Sequence, residues 1–288
     1  MRKFQYCFFL LLAGTAHAQD FVQSRVPSDR EQPEYVMLDT TTRPFWTGKQ
    51  INWYYNPANQ PVNLVTDQVV SALQVAAARW SGMCNITFTY QGLTTVQPVL
   101  NGTSAQIDGV NVVGWGYLQG SQAAYSAMTQ AWWSGGGLVD TDVVINLSQS
   151  WTTTLVEAVM THEWGHALGL AHSDVSASIM FANPYHTAAY QRVLRGDDAN
   201  GCAALYGAAA TADSNRAFNW AESAYSGYLS PGPSASGSGL GYYYRYYAGT
   251  NSYVGTKDGG VYYMGSDGVI QSLGPLSNFT PQARAAGY

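Results

Sequence analysis

The stretch His162-Glu163-Trp164-Gly165-His166-Ala167-Leu168-Gly169-Leu170-Ala171-His172 constrains this chain more than any other. Two histidines four positions apart stand on the same side of a helix, near enough for both imidazoles to reach one metal ion, and a carboxylate follows the first. A helix continued for six more residues turns the next histidine about 240° away, so His172 joins only where the helix stops. Gly169 is suited to stop it, because glycine enters the left-handed region that ends helices at little cost. Three neutral imidazoles then leave one tetrahedral position open, which marks a catalytic rather than a structural zinc. The chain has only five histidines, so chance rarely supplies the whole set of His162, Glu163, His166, Gly169 and His172. Glu163 is expected as a general base and not as a ligand.

With these residues in hand, the sequence resembles the metzincin metallopeptidases, whose signature is this motif followed by a methionine turn. Ser176-Ala177-Ser178-Ile179-Met180-Phe181 follows, so the resemblance makes Met180 the methionine beneath the metal. Ser173, directly after the third histidine, is similar to the matrixin branch of that clan. Asn183-Pro184-Tyr185 resembles the segment that walls the matrixin specificity pocket, with one extra residue after the methionine; Pro184 and Tyr185 are the expected wall. Leu194 to Gly201, then Leu205-Tyr206-Gly207, is similar to the closing helix of a matrixin catalytic domain.

The resemblance covers about residues 44–207. It implies an α+β fold in which a twisted mixed β-sheet carries an active-site helix and a closing C-terminal helix. It also implies a zinc-dependent endopeptidase acting on proteins or peptides, with a zinc-activated water whose proton Glu163 takes. One zinc is expected, since the second zinc of vertebrate matrixins needs further histidines and the mature chain has only His186 outside the motif. Calcium, which matrixin loops hold, is weighed at Asp140 and Asp142 against ordinary turn and surface carboxylates.

Residues 1–18 read as a secretory signal. Arg2 and Lys3 precede the apolar run Tyr6 to Leu12, and Ala16-His17-Ala18 forms a small-x-small cleavage site. The run is too short to span a bilayer, so a secreted, extracellular or periplasmic protein is expected, with no membrane partner after cleavage. A net charge of −5 with 11 % charged residues gives no electrostatic footprint for nucleic acid. Export changes the reading of the cysteines: Cys7 leaves with the signal, and Cys84 and Cys202 remain where disulfides persist. They form one bridge, or stay two buried thiols.

Residues 19–43 read as a polar leader with no cysteine, so no cysteine switch is expected. Asp39 is weighed as an alternative metal cap against a solvated leader. Strands are expected at Ile51–Tyr55, Ile86–Tyr90, Gly109–Leu118, Ala123–Trp133 and Gly137–Asn146. A core helix is expected from about Val65 to Trp80, where Val65, Val69, Ala72, Leu73, Ala76 and Trp80 recur at helical spacing. Thr154-Leu155-Val156-Glu157 reads as a capping box opening the active-site helix. The edge strand expected at Ala123–Trp133 is similar to the one along which metzincins bind an extended peptide substrate, and Trp132-Trp133 reads as core or cleft.

The composition breaks at 208–217, a linker by its small and polar residues. Residues 218–288 then read as a small β-rich, tyrosine-rich domain of unknown function. A short helix begins at Phe218, Ser230 to Gly241 is a Pro/Gly/Ser loop, and strands fall at Tyr242–Tyr247, Asn251–Val254, Val261–Met264 and Val269–Leu273. The unit is similar to a module appended to secreted bacterial proteins. Its tyrosines suit a surface or glycan target, or plain packing. A rival reading therefore stands beside the protease: a secreted binding or adhesion protein in which this module dominates.

Overall fold

The computed structural model describes residues 2–7 by their backbone, and residues 35–100, 107–182, 193–229 and 232–288 with their side chains. Strands β2 (Gln50–Tyr55), β3 (Thr87–Leu93), β4 (Asn111–Gly116) and β6 (Gly137–Asn146) run parallel, in the order β6-β4-β2-β3. β5 (Ala127–Ser134) joins β6 antiparallel. Outside β5 lies β1 (Arg2–Cys7), antiparallel from Arg2↔Trp133 to Cys7↔Met128, so part of the expected signal occupies the sheet edge.

Two helices share one core with this sheet. α1 (Thr66–Met83) buries Val69, Leu73, Ala76, Trp80 and Met83, a stripe at three- and four-residue spacing. α2 (Thr153–Leu168) is buried nearly all round, because the sheet and α1 cover it from different sides. Indole N–H groups lock the two helices by donating to backbone carbonyls, Trp80 to Thr161 at 2.7 Å and Trp164 to Leu73 at 3.2 Å. The capping-box expectation fails by two residues. Thr152 is the N-cap and accepts from Leu155 N–H, while Glu157 is buried and pairs with Arg79 at 2.7 Å. The closing helix, α3 (Gly196–Tyr206), is tied to the end of α1 by a Cys84–Cys202 disulfide with Cα atoms 5.7 Å apart.

The polar leader is not solvated throughout. Met37 and Leu38 are buried, and the segment zips onto the chain that leaves α2: Leu38 N–H donates to Gly169 O and Ala171 N–H to Val36 O. The extended chain beyond Gly169 needs partners for its backbone groups, and this segment supplies them.

The stretch read as a linker is also structured. α4 (Ala212–Ala224) begins inside it, and Asn215 is buried, donating to Gly82 O at the end of α1. The second sheet is an antiparallel meander, ordered β11-β10-β9-β8-β7. Its strands are β7 (Ala235–Gly239), β8 (Tyr242–Tyr247), β9 (Ser252–Lys257), β10 (Gly260–Met264) and β11 (Ile270–Pro275). β7 lies where a loop was expected, and α5 (Leu276–Ala285) was not foreseen. α4, α5 and the inner face of this sheet bury Phe218, Tyr247, Val254 and Val261 between them.

The two parts share a buried polar seam. Arg79 on α1 pairs with Glu157 on α2 and lies 3.5 Å from Glu222 on α4. Glu222 in turn pairs with Arg245 on β8 at 2.7 Å and accepts from the Tyr247 hydroxyl at 2.9 Å. All four charged residues are buried. The end of the chain returns to α3, where Gly196 N–H donates to Gly287 O and the Arg195 guanidinium covers the Tyr288 ring at 3.9 Å.

Candidate metal centre

α2 ends at Gly169, whose backbone is left-handed (φ 112°), with its N–H directed back to Gly165 O and His166 O. A side chain there is excluded twice. The conformation disfavours one, and a Cβ would lie 2.2 Å from Pro44 O. The turn carries His172 back to the helix face holding His162 and His166, with ring centroids 4.7, 5.2 and 4.9 Å apart. One ligand atom of each ring lies within 4.8 Å of those of the other two, and this is the metal-ligating group of three found among the described residues.

The orientation of two rings is fixed from behind. His162 Nδ1 faces Ile179 O at 2.6 Å and His166 Nδ1 faces Leu170 O at 2.8 Å. Carrying the proton on Nδ1 leaves the Nε2 lone pair for a metal, the usual arrangement behind a ligating imidazole. Burial, with His172 adding to it, holds His166 well below its ordinary pKa, and burial pushes His172 down to about 4. These two rings are thus neutral at neutral pH, the form that binds a metal ion. The residues fit a zinc site.

Glu163 is fully buried beside them. Burial raises its carboxyl to about 8, against hydrogen bonds from Thr129 that lower it. A nearby cation would favour the ionised form. Its Oε2 accepts from the Thr129 hydroxyl at 2.5 Å, whereas Oε1 is buried with no hydrogen-bond partner. No motif pointed to Thr129, since only the register of β5 against β6 and its packing on α2 bring it there.

Met180 packs beneath the helix. A Cβ on Gly165 would lie 2.2 Å from Met180 Sδ, so the methionine fills the space glycine leaves. Its turn is held by buried Asp198 on α3, which accepts from the Ser178 hydroxyl and from the N–H groups of Ile179, Met180 and Arg195. Ser173 donates to Asp197 at 2.6 Å. Pro184, Tyr185 and His186 lie outside the described residues. Asp39 is spent on its own turn, accepting from the N–H groups of Thr41 and Thr42, and is not in the histidine group.

Asp140 and Asp142 are buried rather than on the surface. Asp142 accepts from the N–H groups of Val99 and Val112, and Asp140 Oδ2 from those of Asp108 and Gly109. Asp140 Oδ1 is buried with no hydrogen-bond partner. Trp132 and Trp133 are both core.

The matrixin family model matches residues 45–207. The chain is 41% identical to stromelysin-3 of Xenopus laevis over 73 residues, 23% of this chain and 15% of that protein. It is 29% identical to metalloendoproteinase 2-MMP of Arabidopsis thaliana over 52% of this chain and 40% of that one. Against human neutrophil collagenase the identity is 24%, over 72% of this chain and 43% of the relative. The chain thus spans less than half the length of these relatives. Among the described residues no helix is long and apolar enough to cross a membrane.

Proposed function

The chain belongs to the matrixin family of zinc-dependent endopeptidases, and from that premise we propose that it is a secreted protease in which Glu163 is the general base. The observation that carries the reading is the convergence of three histidines beside a buried carboxylate with one oxygen uncommitted. His162, His166 and His172 would hold one zinc ion, with Met180 as the packing floor beneath it. When bound, the ion supplies Lewis-acid charge for the scissile carbonyl and acidifies water. Glu163 Oε1 takes a proton from the attacking water and returns it to the leaving amine. Pro184 and Tyr185 are the proposed wall of the specificity pocket. Calcium at Asp140 and Asp142 has no comparable support.

Secretion rests on the signal-like residues 1–18. Their removal would take β1 from the sheet and expose the edge of β5, where the backbone of an extended substrate adds as a strand.

The outer face of the second sheet favours a surface or glycan target for the C-terminal part, in addition to proteolysis. Tyr242 packs against Tyr262 and Tyr244 against Tyr253, with ring centroids 5.4 and 5.7 Å apart, around a cleft of about 330 Å³ that Gly255 also lines. Ring faces with hydroxyl edges suit flat, polyhydroxylated ligands. Loss of retention on insoluble polysaccharide in Tyr244→Ala and Tyr262→Ala variants tests it, and unchanged retention rejects it.

The protease reading is tested by Glu163→Ala. This variant should keep one zinc per chain while hydrolysis of an unfolded protein falls by about 10²- to 10⁴-fold, and a chelator should abolish activity in the unaltered protein. Full activity of Glu163→Ala sinks the mechanism.

A further inference from the structure

The two oxygens of Glu163 have different surroundings, and the difference comes from a residue outside the motif. Thr129 stands on β5, 1 % exposed, and its hydroxyl lies 2.5 Å from Oε2 and 3.3 Å from the Glu163 main-chain oxygen. A threonine hydroxyl has one proton to give. The shorter contact, to a carboxylate, is the stronger acceptor for it. Oε1 is left buried and without a hydrogen-bond partner.

Thr129 is also well placed to hold a position. Its branched side chain has few accessible rotamers, and its backbone is fixed in the β5–β6 ladder opposite Val143. Among the described residues no other side chain donates to Glu163, and the further donor to it is the main chain of Thr129 itself. The terminal torsion of a glutamate is broad and roughly two-fold, so a carboxylate without this anchor presents either oxygen, at varied angles.

We propose that Thr129 is a positioning residue for the general base: it anchors Oε2 so that Oε1 alone meets the reacting water. The inference rests on the reading of Glu163 as base. It adds that the strand flanking the cleft, and not only the helix bearing the motif, sets the geometry of proton transfer.

Thr129→Val preserves the shape and removes the hydroxyl. On a soluble fluorogenic peptide its kcat should fall by about 10- to 100-fold, the scale of a misplaced reacting group. KM should stay within about twofold, as expected for an interaction that matters only in the transition state. Zinc content and zinc affinity should not change, since the Thr129 hydroxyl bonds to Glu163. Thr129→Ser should recover most of the rate. In a Glu163→Ala background, Thr129→Val should cost nothing further, because the group it positions is gone. A Thr129→Val enzyme with unaltered kcat overturns the proposal. So does loss of zinc in that variant, or failure of serine to restore the rate, since each makes the role one of packing. Full activity in Glu163→Ala alone marks a different failure, that of the base assignment itself.

Discussion

Two buried polar clusters meet α2, and they are built in opposite ways. Towards its C-terminal end, His162 and His166 are joined by His172, three like groups brought to one point, which suits a cation. Five residues earlier, Glu157 enters a cluster in which charges alternate, Arg79 between Glu157 and Glu222, then Arg245 on Glu222. The first cluster invites a ligand. The second completes itself, because two acids and two bases buried together satisfy one another, whereas any one left alone carries a large desolvation cost. The histidines come from eleven consecutive residues, while the charges come from positions 79, 157, 222 and 245. The C-terminal part thus takes part in the second cluster: its helix α4 and strand β8 supply half of a buried charge cluster that reaches the active-site helix.

The comparison predicts opposite phenotypes. The largest effect is expected from His172→Ala, which should reduce zinc from one per chain to near none and lower peptide hydrolysis by about 10³-fold or more. The stability of its zinc-free form, measured in urea, should shift by less than about 1 kcal/mol. A variant that keeps tight zinc breaks the comparison at its first cluster.

Glu222→Ala should do the reverse. Stripping the carboxylate shared by two buried arginines should destabilise by about 3–5 kcal/mol, while the folded fraction keeps its zinc and its kcat. An unaltered urea midpoint would show that the seam contributes nothing, and loss of zinc by the folded fraction would show that the two clusters are not separable. Ending the chain at residue 210 removes Glu222 and Arg245 together, and a fully stable product would show the C-terminal part to be detachable.

The smallest effect concerns a third cluster, intermediate in kind. Burial raises Asp142 to about 8 and Asp140 to about 6, opposed by backbone N–H donors and reinforced by Asp108. A carboxyl whose pKa is higher folded than unfolded binds more protons in the native state, so its contribution favours folding at low pH and is lost as pH rises from about 4 to 8. In chelator-treated protein, Asp142→Asn should therefore flatten the fall in stability across that window. Identical slopes in variant and parent would show that Asp142 ionises freely in the fold.

What could be read from the sequence follows the same division. The metal motif is local, its spacing states its geometry, and the glycine that ends α2 stands where helix rules ask for one. α1 was legible because its buried side chains keep one helical period against one core. β7 was not, because its Ala-Ser-Gly-Ser-Gly run has no apolar alternation: the space above Gly237 belongs to Tyr244, whose hydroxyl would lie 3.3 Å from a Cβ there. The linker reading failed for a related reason. Ser214, Asn215, Asn219 and Glu222 are polar yet buried, since the surface they meet is itself polar, and composition cannot tell such a seam from solvent. Glu157 was misread as a cap for want of knowing that Arg79, 78 residues away, would face it.

The contact between Gly165 and Met180 bears on how relatives of this chain should be sought. Its Cβ position is claimed by Met180 Sδ at 2.2 Å and by Trp80 at 2.8 Å, so one of the two positions written as variable in His-Glu-x-x-His has no latitude here. Drift at position 165 is tolerable only when 80 and 180 change with it. Inheritance should therefore show these three as a linked trio, and a search pattern that weights them jointly should separate true descendants from chance occurrences of the short motif.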